Sequence, residues 1–149
     1  GKRGKLVWTL KALHRFKQRV REITRRNRGH RVQDVIGELR CYVIGWLNYF
    51  KLSHTYRVVL ELDSWLRRRV RLYYWKQWKQ PRTRRRHLIA LGIDPDRVKL
   101  ASRSRKGYWR MSQNSIVRTA LNNQWLNEQG VPDIRATWIE LHYGPNARV

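Results

Sequence analysis

Between Asp63 and Asp94 the chain carries no acidic residue, and the interval is filled with basic side chains and aromatic rings. Arg67, Arg68, Arg69, Arg71, Lys76, Lys79, Arg82, Arg84, Arg85 and Arg86 are interleaved with Trp65, Tyr73, Tyr74, Trp75 and Trp78. Guanidinium groups pair with phosphates and flat rings stack on bases, so this mixture points to a nucleic-acid surface, with RNA foremost. The densest cluster, PRTRRR at residues 81–86, stands at an expected helix start, where free backbone N–H groups also favour phosphate. A second basic loop surrounds Gly107, with Arg103, Arg105, Lys106 and Arg110 beside Tyr108 and Trp109.

The candidate contacts are Arg67, Arg68, Arg71, Trp75, Lys76, Lys79, Arg82, Arg84, Arg85, Arg86, Arg103, Arg105 and Lys106. Helical geometry sets Trp75 on the arginine side and Trp78 nearer the core, while Arg69 borders the apolar stripe and reads as structural. The plain alternative is a solvated charged face. Against it stand the missing acids and a formal charge of +24, which resists compaction and favours an anionic partner.

Catalytic chemistry finds little footing. The ten acidic residues lie singly or as spaced pairs, and in Asp94-Pro95-Asp96 a helix cap explains the spacing better than a carboxylate pair. His14, His30, His54, His87 and His142 show no ligand spacing. Cys41 is the only cysteine, which rules out an internal disulfide and a cysteine-based zinc site; its apolar helical setting predicts a buried, inert thiol. No cofactor is expected in this segment.

With 149 residues, 41% of them hydrophobic, the chain can bury a core despite its charge. No apolar run nears the roughly 20 residues that span a bilayer, so no membrane partner is expected. The basic start lacks the apolar core of a secretory signal, and its opening without Met is read as that of a piece of a longer protein.

Helices must position these side chains. After a basic lead-in over 1–7, Leu10, Leu13, Phe16, Val20 and Ile23 recur at helical spacing and predict a first helix ending near Thr24. A basic turn over 25–31 follows, with Gly29 as breaker. Val32, Val35, Ile36, Leu39, Val43, Trp46, Tyr49 and Phe50 make the broad apolar stripe of a second helix over 32–50, which sets the three rings in the core. Gly45 inside it suggests close approach by a neighbouring helix, and Asn48 lies off the stripe. With Ser53 or Thr55 as N-cap, a third helix over 56–79 buries Val59, Leu62, Leu66, Val70 and Tyr73, and Asp63 can pair with Arg67 one turn on. Pro81 then ends this helix and starts another that Gly92 stops. A short helix capped by Asp94 and one over 115–129 come next, and the tail over 133–149 is open between helix and extended strip. The expected architecture is all-α: a three-helix bundle over 8–80, then a smaller basic helical appendage over 81–149.

Three ordered motifs carry a resemblance. GWLNYF (45–50), LELDSWLRRRVR (60–71) and WKQWKQPRTRRRHL (75–88) resemble the maturase-specific region of group II intron reverse transcriptases, and SRKGYWR (104–110) resembles the segment that follows in bacterial members. The likeness spans about residues 10–126 and implies a helical thumb, or domain X, followed by a DNA-binding region. It further implies intron RNA, template–primer or target DNA, and the fingers and palm of the same protein as partners, in the bacterial cytoplasm or an organelle. That polymerase would use Mg²⁺ at a Tyr-x-Asp-Asp motif. No such motif, and no Cys-x-x-Cys of an appended HNH nuclease, occurs in these residues, so the resemblance implies no enzyme in this segment alone. A stand-alone structural RNA-binding protein is the alternative.

Overall fold

A computed structural model describes residues 2–25, 30–50 and 56–144, with side chains from residue 10 onward. Among them are nine helices and no strand: α1 (Lys2–Thr24), α2 (Val32–Phe50), α3 (Tyr56–Gln77), α4 (Pro81–Ala90), α5 (Pro95–Ser102), α6 (Tyr108–Met111), α7 (Ser115–Ala120), α8 (Asn123–Glu128) and α9 (Ile134–Tyr143). The all-α expectation holds. Gly29 and the caps Ser53 and Thr55 lie outside the described residues.

The first three helices pack by their apolar stripes. Phe16, Val20 and Ile23 of α1 are fully buried, whereas Leu10 is 58% exposed, and the helix starts at Lys2 rather than after a lead-in. In α2 the buried set is Val35, Ile36, Leu39, Val43, Leu47 and Phe50. Tyr49 departs from the expected core and is 75% exposed, because it stands about 120° round the helix from Val43. Trp46 is half-buried, its ring stacked on Phe50 at 4.3 Å and set 4.5 Å from Phe16. Cys41 is exposed, not buried. At Gly45 an added Cβ would meet nothing within 4 Å, so among the described residues no helix approaches closely there. Asn48 instead turns its amide back to Ile44 O at 3.1 Å.

In α3 the expected stripe of Val59, Leu62, Leu66, Val70 and Tyr73 is buried, and so are Asp63, Arg71, Leu72, Tyr74 and Trp75. A helix buried on more than one face needs cover from two directions. The first comes from α1 and the second from α6 and α9, both of which pack on α3. Hydrophobic contacts therefore run continuously from Phe16 to Ile139, across the junction between Gln80 and Pro81.

Helix ends hold this second layer in place. Past α4, Gly92 adopts φ +89°; its N–H donates to Ile89 O at 3.0 Å and that of Ile93 to Leu88 O at 3.1 Å, the Schellman pattern, with Leu88 and Ile93 buried together. Gly130 (φ +98°) closes α8 likewise over buried Leu126 and Val131. Asp94 caps α5, its carboxylate accepting from Arg97 N at 3.2 Å. The single helix expected over 115–129 is broken at Leu121, since Asn122 caps a new helix by accepting from Trp125 N at 2.8 Å. Within the tail, the described residues form α9, capped by Asp133, with Trp138 and Ile139 buried; residues 145–149 lie outside the described residues.

Candidate nucleic-acid interface

The arginines divide into those that tie helices together and those that face outward. Arg84 of α4 points inward and is 7% exposed. Its guanidinium donates to Trp75 O at 3.0 Å and lies 4.4 Å over the Trp75 ring, and Tyr108 sits 5.9 Å away. Burial lowers its pKa, and the phenol of Tyr108 works in the opposite sense. With Leu88 it fixes α4 against the end of α3, and stacked His87 and Trp78 rings, 4.3 Å apart, complete that seam. Arg82, Arg85 and Arg86 then fall at i, i+3 and i+4 on the outward face. All three are exposed, as is Lys79, and none of them forms an ion pair among the described residues.

The α3 arginines are the ties. Arg67 is bonded to Asp63, whose other oxygen accepts from Ile134 N at 3.1 Å at the first turn of α9. Arg68 donates to Trp109 O at 2.9 Å and Ser112 Oγ at 3.2 Å, and its guanidinium lies 3.7 Å over the Trp109 ring. Arg69 donates to Thr24 Oγ1 at 2.9 Å, holding the end of α1 as its position on the stripe suggested. Arg71 donates to Leu121 O at 2.8 Å and Asn123 Oδ1 at 2.9 Å. Burial, then the neighbouring charges of Arg21 and Arg25, push Arg69 down to about 10. Burial, then Arg67 and Arg118, do the same to Arg71. Both stay charged at neutral pH.

Three sequence-based assignments are thereby corrected. Trp75 is fully buried and cannot stack on a base, because α4 and its Arg84 close over the ring. Arg71 and Arg84 are 7% exposed each and serve as links between helices, because a second layer covers the face on which they stand. Arg67 and Arg68 keep partial access, and Lys76 is half-buried. Arg103, Arg105 and Lys106 lie together on the exposed loop before α6, as expected.

Asp63 is a structural tie of which sequence reasoning saw only one half. Its pairing with Arg67 was legible, but its capping of α9 spans 71 residues and leaves no local signal. Among the described residues no group of three or more His, Cys, Asp or Glu could hold a metal ion, and no helix is long and apolar enough to cross a membrane.

The family model described as the group II intron maturase-specific domain matches residues 13–91, more than half of the chain. That span runs from within α1 to just beyond α4 and includes the outward arginines of α4. Among curated proteins none gives a significant match.

Proposed function

This chain belongs to the family of group II intron maturase-specific domains, and from that membership we propose that it is the nucleic-acid-binding thumb segment of a group II intron reverse transcriptase. It grips intron RNA and the template–primer duplex, and so supports splicing and intron mobility. The observation that carries this reading is the outward face of α4. Within the matched span, Arg82, Arg85 and Arg86 stand in solvent and form no ion pair among the described residues. A row of unpaired guanidiniums on a rigid helix suits a phosphate backbone.

The fingers and palm of the parent polymerase, and a DNA target for the Arg103, Arg105 and Lys106 loop, belong to the same proposal. The two-metal chemistry of that polymerase needs carboxylates held side by side. Asp63, the buried acid of α3, is engaged with Arg67 and Ile134, so no catalytic step is assigned here.

Affinity for a folded group II intron RNA, compared with an unrelated RNA of equal length across a salt series, tests the reading. A preference that survives as counterion release fades supports intron recognition by these residues. Equal affinities with equal slopes refute it.

A further inference from the structure

A concave groove lies between α3 and the segment from α6 to α8. It is a cavity of about 440 Å³, within the ~300–1,000 Å³ range of small-ligand pockets. Arg67, Arg68, Arg71, Trp109, Arg118 and Asn123 are among the residues lining it, and it adjoins a more open trough of about 610 Å³ that shares Arg71, Arg118 and Asn123. No acidic residue lines either part.

The groove is built rather than incidental. Arg71 is held at a fixed position by Leu121 O and Asn123 Oδ1. It feels the charges of Arg67 and Arg118, and of these only Arg67 has an acid bonded to it among the described residues. Like charges gathered in a hollow repel one another, and an anion seated among them relieves that repulsion. At the other end Trp109 keeps 41% of its surface in solvent while Arg68, clamped by Trp109 O and Ser112 Oγ, stacks on it. The result is a stiff aromatic platform beside a cationic cradle.

We propose that this groove takes one unpaired nucleotide of a single strand, its phosphate at the exposed Arg118, within the field of the covered Arg71, and its base against Trp109. A base can enter a hollow only when it is free of duplex stacking, so the groove selects a strand state that the convex face of α4 does not. The proposal rests on the nucleic-acid reading above but assigns it a different surface.

The test is fluorescence anisotropy on the full 149-residue chain with a labelled oligoadenylate of about eight nucleotides, inside the ~4–16-nucleotide span of single-strand sites. Its deoxy counterpart and a duplex of the same length complete the probes. Arg118→Gln removes an exposed side chain outside the core and so leaves the fold intact; Trp109→Leu removes the platform. Each is expected to weaken single-strand binding about tenfold while duplex affinity stays within about twofold. Arg86→Gln, outside the groove, is expected to weaken the duplex at least as much as the single strand. Tighter binding of the ribo strand names RNA as the occupant and the reverse order names DNA; both support the groove. Equal weakening of single strand and duplex, or none, overturns it. A chain that binds intron RNA but no single strand overturns the groove and leaves the maturase reading standing. Groove-dependent single-strand binding without intron preference does the opposite.

Discussion

Replacing Asp63 by alanine should release α9 from α3. The carboxylate is 3% exposed and has two partners, the Arg67 guanidinium and the Ile134 N–H. Losing the acceptor leaves a buried amide unsatisfied, at about 1–3 kcal/mol. Losing the charge strands Arg67. A fully buried pair broken on one side costs roughly 3–5 kcal/mol. The Arg67 side chain, however, is 20% exposed and can recover hydration, which brings this part to about 1–2 kcal/mol. The sum is about 3 kcal/mol, a large share of the ~5–15 kcal/mol by which domains are stable. Asp63→Asn keeps an oxygen for Ile134 and loses only the charge, so it should cost about half as much. Urea unfolding followed by circular dichroism measures both, with an unchanged slope showing that the two end states are preserved. An alanine variant within 1 kcal/mol of the parent (roughly one broken surface pair) would refute this account of Asp63, as would an asparagine variant equally damaged.

Other consequences follow from the same contacts. Arg84→Ala removes a desolvated cation from the face of Trp75 and should lower stability by about 2 kcal/mol without changing the salt dependence of RNA binding; a changed salt slope would return Arg84 to the interface. Burial, with Tyr73 beside it, pushes the Tyr74 phenol up to about 12. Since the folded value exceeds the ordinary 10.0, this group contributes stability that is whole below pH 10 and is lost as pH climbs toward 12. Phenolate absorbance should therefore show a late phase at that end of the titration, and a single phase centred near pH 10 with helix content intact would contradict it. Gly45→Ala fills open space on a helix and should raise stability by about 1 kcal/mol; a loss of stability on urea unfolding would mean that a neighbour does approach there.

Apolar periodicity made the long helices readable. The stripe from Val59 to Tyr73 and the pair of Phe16 and Val20 are buried as their spacing requires, and Pro81, Gly92 and Asp94 punctuate the chain as their backbone chemistry demands. The second layer was not readable. Arg71 lies on the far side of α3, and one helix face cannot report what a segment 50 residues later lays over it; Trp75 is covered from nearer by, by Arg84 across the turn at Pro81. Arginine adds its own ambiguity, because an apolar stem with a charged head suits a covered interhelical tie as well as a phosphate contact. Asn122 did carry a signal, for asparagine is a strong N-cap, but the apolar spacing of Ile116, Ala120 and Leu126 ran through it. At the interface, the PRTRRR cluster was legible as a group. Only the packing of α4 separates Arg84 from Arg82, Arg85 and Arg86.

That separation is most directly tested by the salt dependence of intron RNA binding in a variant with Arg82, Arg85 and Arg86 all changed to glutamine. Each phosphate contact adds about 0.7–0.9 to the slope of log affinity against log salt. The account predicts a slope shallower by about two to three, with helix content and unfolding midpoint unchanged because none of the three side chains is buried. A slope equal to the parent's would contradict it and move the grip on RNA away from α4.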